Sequence, residues 1–298
     1  MFKGCINLCE VHPSILVHKR LTFLDLENCK SLSSLPSKFE MESLEALILS
    51  SYSKIKRIPE FMRNMKHLWK LHLDGTAIMK LPSSVEHLTN LKELYFRGCK
   101  GPPPKLWDKL LPMNLMPRRS LNPVSLLLSS LLGMRSLMKL DLSDYNLQTI
   151  PNNIGNLSSI RYLNLSDNHF SCLSERIVQL SKLVEIYVQS CTRLRSLPQL
   201  PSTTDWVAAN GCTSLKTLSN ELKPHDHAHK RLFFLNSFKA NNQGWSDTFF
   251  NVLRMLLTIH QLSLSLSLSI YIYIYVNSKH HGLYVSGNLQ ETYKMFSL

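Results

Sequence analysis

Two groups of residues in the sequence have the chemistry needed to hold a metal ion. One is the run H-D-H-x-H at 225–229, which offers imidazole and carboxylate ligands at alternate positions. The other is the set of seven cysteines, which contains no C-x-x-C pair of the kind that structural zinc sites use. Lys230 and Arg231 follow the histidine run directly, and a run of this polarity is typical of a solvated loop. We therefore predict no metal site.

Catalysis and phosphate binding have no recognisable motif in the sequence. No serine lies in a G-x-S-x-G nucleophile turn, and the sequence contains no G-x-x-x-x-G-K-[ST] loop that could hold a nucleotide phosphate. Histidines and serines are plentiful, but none belongs to a recognisable nucleophile motif. The sequence therefore predicts a protein that is not an enzyme and that uses no cofactor.

The positive charge of the chain raises the question of an anionic partner. Lys and Arg outnumber Asp and Glu by 34 to 21, which gives a net charge of +13. The basic residues are scattered, and their densest group lies in a proline-rich segment at 100–135. A nucleic-acid surface needs a basic stripe on one face with interleaved aromatic residues, and a loop of this kind is weaker evidence for one. We predict that this segment is solvated or faces a protein partner, and that the chain binds no nucleic acid.

The amino terminus and the cysteines bear on the compartment. The first residues, MFKGCINLCEVHP, contain no apolar run after Lys3, so they do not form a secretory signal. Cysteines in such a chain are expected to be thiols in a reducing compartment. The alternating run at 262–276 is too short and too rich in serine to span a membrane. We predict an intracellular protein of the cytoplasm or the nucleus, with no membrane partner.

Any binding residues are positioned by a repeat, because the pattern L-x-x-L-x-L recurs seven times. Its apolar positions are Leu21-Leu24-Leu26, Leu44-Leu47-Leu49, Leu68-Leu71-Leu73, Leu91-Leu94-Phe96, Leu137-Leu140-Leu142, Ile160-Leu163-Leu165 and Leu183-Ile186-Val188. Successive copies begin 23 or 24 residues apart, except for one step of 46, which is twice 23. A fixed period of this length indicates stacked units that share one core. The predicted fold is an α/β leucine-rich-repeat solenoid, with a curved parallel sheet and an irregular or helical outer face.

Each repeat turns a corner eight residues after its first apolar position. The corner residues are Cys29, Tyr52, Thr76, Cys99, Tyr145, Asn168 and Cys191, and Cys5 and Cys212 continue the row. We expect these side chains to point inward and the thiols among them to be buried and structural. A second apolar step, usually followed by proline, leads to the outer face, as at 81–88 and 150–157. That spacing predicts one irregular or helical turn packed on the strands.

The exposed positions of each strand form the candidate binding surface. Residues that alternate with the buried leucines face solvent on the concave side, and aromatic residues among charges suit a protein interface. The candidate residues are Phe23, Asp25, Glu27, Lys70, His72, Asp74, Glu93, Tyr95, Arg97, Lys139, Asp141, Tyr162, Asn164, Glu185, Tyr187 and Gln189. For any one of them an ordinary solvated sheet face is the alternative.

The residue pattern within the repeats resembles that of one protein family. Segments 21–36, 68–104 and 137–173 alternate D-x-x-x-C-x-x-L repeats with D-G-T-A-I-x-x-L-P repeats, and LPQLPS at 197–202 and NGCTSLKTL at 210–218 close the array. Over roughly residues 1–256 the chain resembles the plant TIR-type nucleotide-binding leucine-rich-repeat disease resistance receptors. The resemblance implies a solenoid that restrains a nucleotide-binding switch in cis and recognises a pathogen effector or a guarded host protein. It also implies TIR and nucleotide-binding domains, whose catalytic residues match nothing in this chain.

The resemblance and the repeats together give the predicted organisation. Residues 1–218 form the solenoid, and residues 101–134 are a repeat that prolines at 102–104, 112, 117 and 123 loop out of the sheet. Residues 219–256 resemble the start of a small all-β domain that follows the repeats in relatives. Residues 257–298 are a low-complexity tail, disordered or mistranslated, because LSLSLSLSIYIYIYV at 262–276 is what CT and AT dinucleotide repeats encode. We expect the chain to be a fragment that begins inside a repeat.

Three other functions compete with that of an immune-receptor recognition module. A receptor ectodomain shares the I-P-x-x-I-G-x-L pattern at 150–157, but lacks support from a signal peptide or amino-terminal cysteine pairs. An intracellular scaffold built of repeats alone is the second alternative. A pseudogene fragment without function is the third, and expression of a stable polypeptide would separate it from the others.

Overall fold

The fold was obtained as a computed structural model. It describes residues 2–36, 38–50, 55–78, 81–99, 131, 134–218, 231–233, 237, 272–274 and 285–286. The chain forms two compact units, Met1–Tyr145 and Asn146–Leu298. Each unit is described by itself below.

The first unit is built on a parallel sheet of five three-residue strands. The helix α1 (Pro13–Leu16) precedes them, and the strands are β1 (Phe23–Asp25), β3 (Ala46–Ile48), β5 (Lys70–His72), β6 (Glu93–Tyr95) and β7 (Lys139–Asp141), paired in that order. On the outer side, β2 (Lys38–Phe39) pairs in parallel with β4 (Glu60–Phe61), and the 3₁₀ helix η1 spans Ser83–His87.

The register of this sheet follows the repeat. The middle leucine of each pattern lies opposite its counterpart in the next strand, and the aligned residues are Leu24, Leu47, Leu71, Leu94 and Leu140. All five are at most 2% exposed. Burying five leucines in one row contributes roughly 1.5–3 kcal/mol for each side chain, before entropy is counted. The predicted strands and their parallel pairing are confirmed.

The step of 46 residues in the repeat has a direct structural counterpart. β6 pairs with β7, with Glu93 opposite Lys139, so no further strand lies between them. Of the segment 101–134 that the sequence predicts to be looped out, only residues 131 and 134 are among those described. Leu131 and Met134 are buried. The rest of the segment 101–134 lies outside the described residues.

The second unit continues the same plan. Its sheet has the strands β8 (Tyr162–Asn164), β9 (Glu185–Tyr187), β11 (Trp206–Ala208), β13 (Arg231–Phe233), β14 (Ile272–Ile274) and β15 (Val285–Ser286), in that order. All pairs are parallel except β14 with β15. The outer side carries the 3₁₀ helices η2 (Asn152–Asn156) and η3 (Glu175–Gln179) and the parallel pair β10 (Ser196–Leu197) and β12 (Thr217–Leu218).

The outer elements differ among repeats for a reason visible in the sequence. The repeats at 81–88 and 150–157 form η1 and η2, which begin directly after Pro82 and Pro151, as the spacing of their apolar residues predicts. The repeats around Phe39 and Phe61 form a two-residue strand pair instead, and the two rings stack with centroids 5.7 Å apart. Both rings are fully buried, so large aromatic side chains fill the space that a helical turn covers in the other repeats.

The backbone conformation at each corner restricts the type of residue that precedes the inward-pointing side chain. The residue preceding the corner has a positive φ in every described repeat, and these residues are Gly4, Asn28, Gly75, Gly98, Asp144, Asp167, Ser190 and Gly211. Glycine, asparagine and aspartate tolerate this left-handed conformation best. The corner side chain itself then turns into the core. Cys29, Cys99, Cys191 and Cys212 are buried there, whereas Cys5 is exposed.

The exposure of Cys5 is a departure from the expected row of buried thiols. In the interior of the row a corner side chain is covered by the units on both sides, and Cys5 has a described unit on one side alone. Burial raises the pKa of Cys99, Cys191 and Cys212 to about 12 each. These thiols are therefore protonated at neutral pH and donate to backbone carbonyls, as Cys99 Sγ does to the Leu73 carbonyl at 3.1 Å. Within the described part of the chain, no helix is long and apolar enough to cross a bilayer.

Candidate functional site

The strand residues predicted as a binding surface lie in register on the sheets of the two units. In the first unit, Lys70, Glu93 and Lys139 align across β5, β6 and β7. His72, Tyr95 and Asp141 form the next row, and Asp74 and Arg97 follow them at the carboxyl ends of their strands. Because these positions alternate with the buried leucines, their side chains lie on the face away from the core.

Glu93 is the centre of a charged cluster on this face. Its carboxylate lies 2.8 Å from Lys139 Nζ and 3.8 Å from Lys70 Nζ. The Glu93 side chain is only 15% exposed, so the two ammonium groups shield most of it from solvent. Lys70 Nζ also lies 5.8 Å from the centre of the Trp69 ring. The cluster thus holds two lysine ammonium groups beside one shared carboxylate.

His72 lies beside this cluster in its neutral form. Burial, and secondarily the charge of Lys70, lowers the pKa of His72 to about 4, although the Glu93 carboxylate acts in the opposite direction. Its Nε2 is 3.9 Å from Glu93, and at neutral pH this approach is not an ion pair. The imidazole packs on Tyr95 with ring centroids 4.2 Å apart. His72 and Tyr95 therefore form a pair of rings, tilted by 45°, next to the lysines.

Three predicted face residues point back to their own backbone. Asp25 Oδ1 accepts from the Glu27 amide at 2.9 Å, Asp141 Oδ1 from the Ser143 amide at 2.8 Å, and Asn164 Oδ1 from the Ser166 amide at 3.1 Å. Asp25 and Asp141 are only 4% and 6% exposed. The shared bond two residues ahead is an Asx turn that leads the strand into the corner. The sequence contains its signal, since Asp or Asn recurs at one repeat position.

The remaining polar residues of the first unit are tied to neighbouring strands. Asp74 accepts from the Arg97 amide at 2.9 Å and from Ser50 Oγ at 3.3 Å, and burial raises the pKa of its carboxyl. Glu27 pairs with Lys3 at 2.6 Å. Phe23, at the first strand, is 38% exposed. These contacts fix the rim of the face, while Arg97 keeps an exposed side chain.

The second unit carries a row of aromatic rings on the corresponding face. We call Tyr162, Tyr187, Trp206 and Phe233 the aromatic ladder. Successive ring centroids are 5.1, 6.4 and 4.4 Å apart. The rings alternate between two rows, because Tyr162, Glu185 and Trp206 align in one, and Asn164, Tyr187, Ala208 and Phe233 in the other.

Glu185 is held inside the aromatic ladder. The Tyr187 hydroxyl donates to Glu185 Oε2 at 2.9 Å, and burial followed by this bond raises the pKa of Tyr187 above its usual range. Gln189 lies two residues after the end of β9, and its backbone amide donates to Ser166 Oγ at 3.1 Å. The sequence placed Tyr162, Glu185, Tyr187 and Gln189 on this face and missed the other two rings. Trp206 was hidden because its repeat has lost the L-x-x-L-x-L pattern.

Metal binding finds no support among the residues that the structure describes, which hold no group of three His, Cys, Asp or Glu side chains suited to an ion. The histidine run at 225–229 lies outside the described residues. The side chains on the two faces provide paired charges, amides and aromatic rings.

Comparison with known proteins gives this face a context. The disease resistance-like protein DSC1 of Arabidopsis thaliana is 34% identical over 235 residues, covering 78% of this chain and 18% of that protein. TMV resistance protein N of Nicotiana glutinosa is 35% identical over 196 residues, covering 64% of this chain and 15% of that protein. The chain thus spans less than a fifth of either relative. No protein-family model matches it.

Among solved structures, the leucine-rich repeat domain of the type III effector XopL is similar in fold. Its TM-score is 0.53 at 18% sequence identity, with 79% of this chain and 77% of that domain covered. This likeness supports the fold, and the sequence matches support the kinship. The chain is a leucine-rich-repeat protein whose homologues are plant disease resistance proteins.

Proposed function

We propose that this chain is the recognition region of an intracellular plant immune receptor, and that the strand faces of its units bind a protein. The partner is a pathogen effector or a host protein that the receptor guards. The observation that carries the proposal is the set of half-exposed charges and rings that the register aligns on each face, such as Lys70, Tyr95 and Lys139 in the first unit. Clustered aromatic and charged residues of this kind anchor protein interfaces.

A screen of secreted pathogen proteins against the full chain tests this proposal. An interactor that depends on the strand face should be lost in Tyr95→Ala and in Lys139→Glu, because these changes remove a ring and reverse a charge on that face. Glu86→Ala is the matched control, since Glu86 is exposed on η1 at the outer side. Interactors that tolerate both face variants and fail with Glu86→Ala would contradict the proposed surface.

We also propose that, within a full-length receptor, the same region restrains the nucleotide-binding switch. Support comes from the homology to whole disease resistance proteins, of which this chain matches less than a fifth. The test places the chain in DSC1 in place of its homologous segment and measures cell death in leaves without a pathogen. A silent chimera that becomes active with Glu93→Lys, and silent again with Glu93→Lys combined with Lys139→Glu, supports a restraining contact at this cluster. Equal resting activity in all three chimeras would contradict it.

A further inference from the structure

The aromatic ladder places large apolar rings on a sheet face, and their exposure is unfavourable if that face contacts only water. The core of the second unit is filled from the other side by Leu163, Ile186 and Val207, which are at most 1% exposed. Each of the four rings packs at a tilt against the next, and all are half-exposed. Large aromatic side chains on an exposed sheet position mark interaction surfaces more often than they support a core.

The charge within the ladder narrows the choice of ligand. Glu185 lies in the row between Tyr162 and Trp206, and one of its oxygens accepts from Tyr187. Among the ion pairs of the described residues, none involves Glu185. The ladder therefore combines π faces, which carry negative electrostatic potential, with a carboxylate that has no cationic partner there.

Resting on the function proposed above, we propose that the aromatic ladder and Glu185 bind arginine side chains of the partner protein. A guanidinium group is flat and weakly hydrated, so it stacks on a ring while its N–H groups bond to a carboxylate. A lysine ammonium is a compact, strongly hydrated charge that gains less from stacking.

The spacing of the ladder sets the spacing of the arginines. Neighbouring strands lie about 4.8 Å apart, so rings of one row, two strands apart, are separated by about 10 Å. A partner chain in the polyproline II conformation has three residues per turn and advances about 3.1 Å per residue, so side chains three residues apart lie on one side of it and about 9 Å apart. A partner segment crossing the strands with arginine at every third position fits this arrangement.

Defined peptides test the inference on the full chain. The probes are fluorescein-labelled peptides of four Gly-Ser-Arg repeats, with Gly-Ser-Lys and Gly-Ser-Glu peptides of the same length for comparison. Binding is followed by fluorescence anisotropy at low and at physiological salt. The chain carries a net charge of +13, so unspecific electrostatics favours the Glu peptide and opposes the other two. Preference for the Arg peptide therefore reports a local site.

We expect the Arg peptide to bind at least fivefold more tightly than the Lys peptide. Glu185→Gln should weaken it severalfold because the carboxylate is lost without a change of shape. Tyr187→Phe should retain binding, because the rings remain and Glu185 is released from its internal bond. Glu175→Gln, which removes an exposed carboxylate of η3 on the outer side of the second unit, is the matched control and should bind as the original chain does. Circular dichroism confirms that each variant is folded.

Two outcomes would overturn the inference: equal binding of the Arg and Lys peptides, or unchanged binding of the Arg peptide in Glu185→Gln. Neither of them decides the broader proposal, because that is tested by variants on the face of the first unit. Loss of an interactor through Tyr95→Ala, together with failure of the peptide experiment, would leave the recognition function standing without the arginine site. Retention of all interactors in Tyr95→Ala would count against the recognition surface whatever the peptides do.

Discussion

The inward-pointing residue at each corner of the repeat has one recurring task, which is to hydrogen-bond backbone groups that the turn leaves unpaired. Asn168 does so most completely, since its Oδ1 accepts from the Leu147 amide at 2.9 Å and its Nδ2 donates to the Leu165 carbonyl at 2.8 Å. Cys191, at the next corner, donates only a thiol hydrogen bond to the same Leu165 carbonyl at 3.3 Å. The Asn168 amide therefore hydrogen-bonds more backbone groups at its corner than the Cys191 thiol does.

This difference gives a prediction about stability. Asn168→Ala should lower the free energy of unfolding by about 2–4 kcal/mol, because it leaves a buried amide without its acceptor. Cys191→Ala should cost about 1 kcal/mol or less, since the Leu165 carbonyl keeps its bond from Asn168. Urea denaturation followed by circular dichroism compares the two variants with the original chain. Equal losses would mean that the corner works by filling volume and not by hydrogen bonding.

The half-buried His72 gives a second prediction at the residue scale, which concerns how stability depends on pH. Its pKa is about 4 in the folded chain against a reference value of 6.5, so the unfolded state takes up a proton first as pH falls. The corresponding stability is complete above pH 6.5 and is lost progressively towards pH 4. Between pH 7 and 4.5 the expected loss from this group is about 2 kcal/mol.

The measurement compares unfolding free energies of the original chain and His72→Gln across that pH range. The variant should lose less stability on acidification, because it has no imidazole to protonate, whereas carboxylates such as Asp74 and Glu93 are common to both proteins. His67→Gln removes an exposed histidine two residues before Trp69. It controls for the loss of an imidazole elsewhere in the chain. Parallel pH profiles for the original chain and His72→Gln would contradict the prediction.

At the scale of elements, the outer 3₁₀ helices of the second unit pack closely at Gly155. A Cβ atom at this position would lie 2.5 Å from the Arg176 carbonyl oxygen and 2.8 Å from Gln179 Oε1 in η3. The first of these neighbours is backbone and cannot swing away. Gly155 is therefore needed for the close approach of η2 to η3.

Gly155→Ala should accordingly destabilise the chain by about 1–3 kcal/mol through overpacking. Without a clash, the same change in a helical turn is expected to stabilise by about 0.4–1 kcal/mol, so the sign of the effect is informative. Glu86→Ala occupies the equivalent position in η1, where the side chain is exposed, and should stay within about 0.5 kcal/mol of the original chain. A higher urea midpoint for Gly155→Ala would show that η3 shifts at little cost.

The elements also show how far the sequence could predict this molecule. The seven strands were predictable because alternation and a 23-residue period demand one aligned leucine per turn, as Leu71 and Leu94 show. The strand β11 keeps only Val207 as a typical core residue, so the aromatic ladder could not be assembled from the pattern. The inward turn of Asp25 depends on backbone geometry that periodicity does not encode. The sequence therefore predicts the repeats well and the chemistry of their faces only in part.

At the scale of the whole molecule, charge and the carboxyl-terminal tail have opposite effects on solubility. The net charge of +13 and the isoelectric point near 9.4 keep copies of the chain apart at neutral pH. Residues 262–276 oppose this, because fifteen residues of alternating Leu-Ser and Ile-Tyr contain no charge, proline or glycine. Segments of that composition favour cross-β association.

We therefore predict that the purified chain aggregates at pH 7.5 and does so faster near pH 9.4, where repulsion between copies vanishes. Deleting 257–298 should raise the soluble concentration severalfold. The double substitution Ser265→Lys with Ser267→Lys should do nearly as well, because it keeps the length of the tail and interrupts its uncharged run. Lys substitutions at Ser214 and Ser158 in the repeats serve as the control, adding the same charge away from the tail. If that control improves solubility as much as the tail variants in static light scattering, net charge and not the segment 262–276 limits the solubility of this protein.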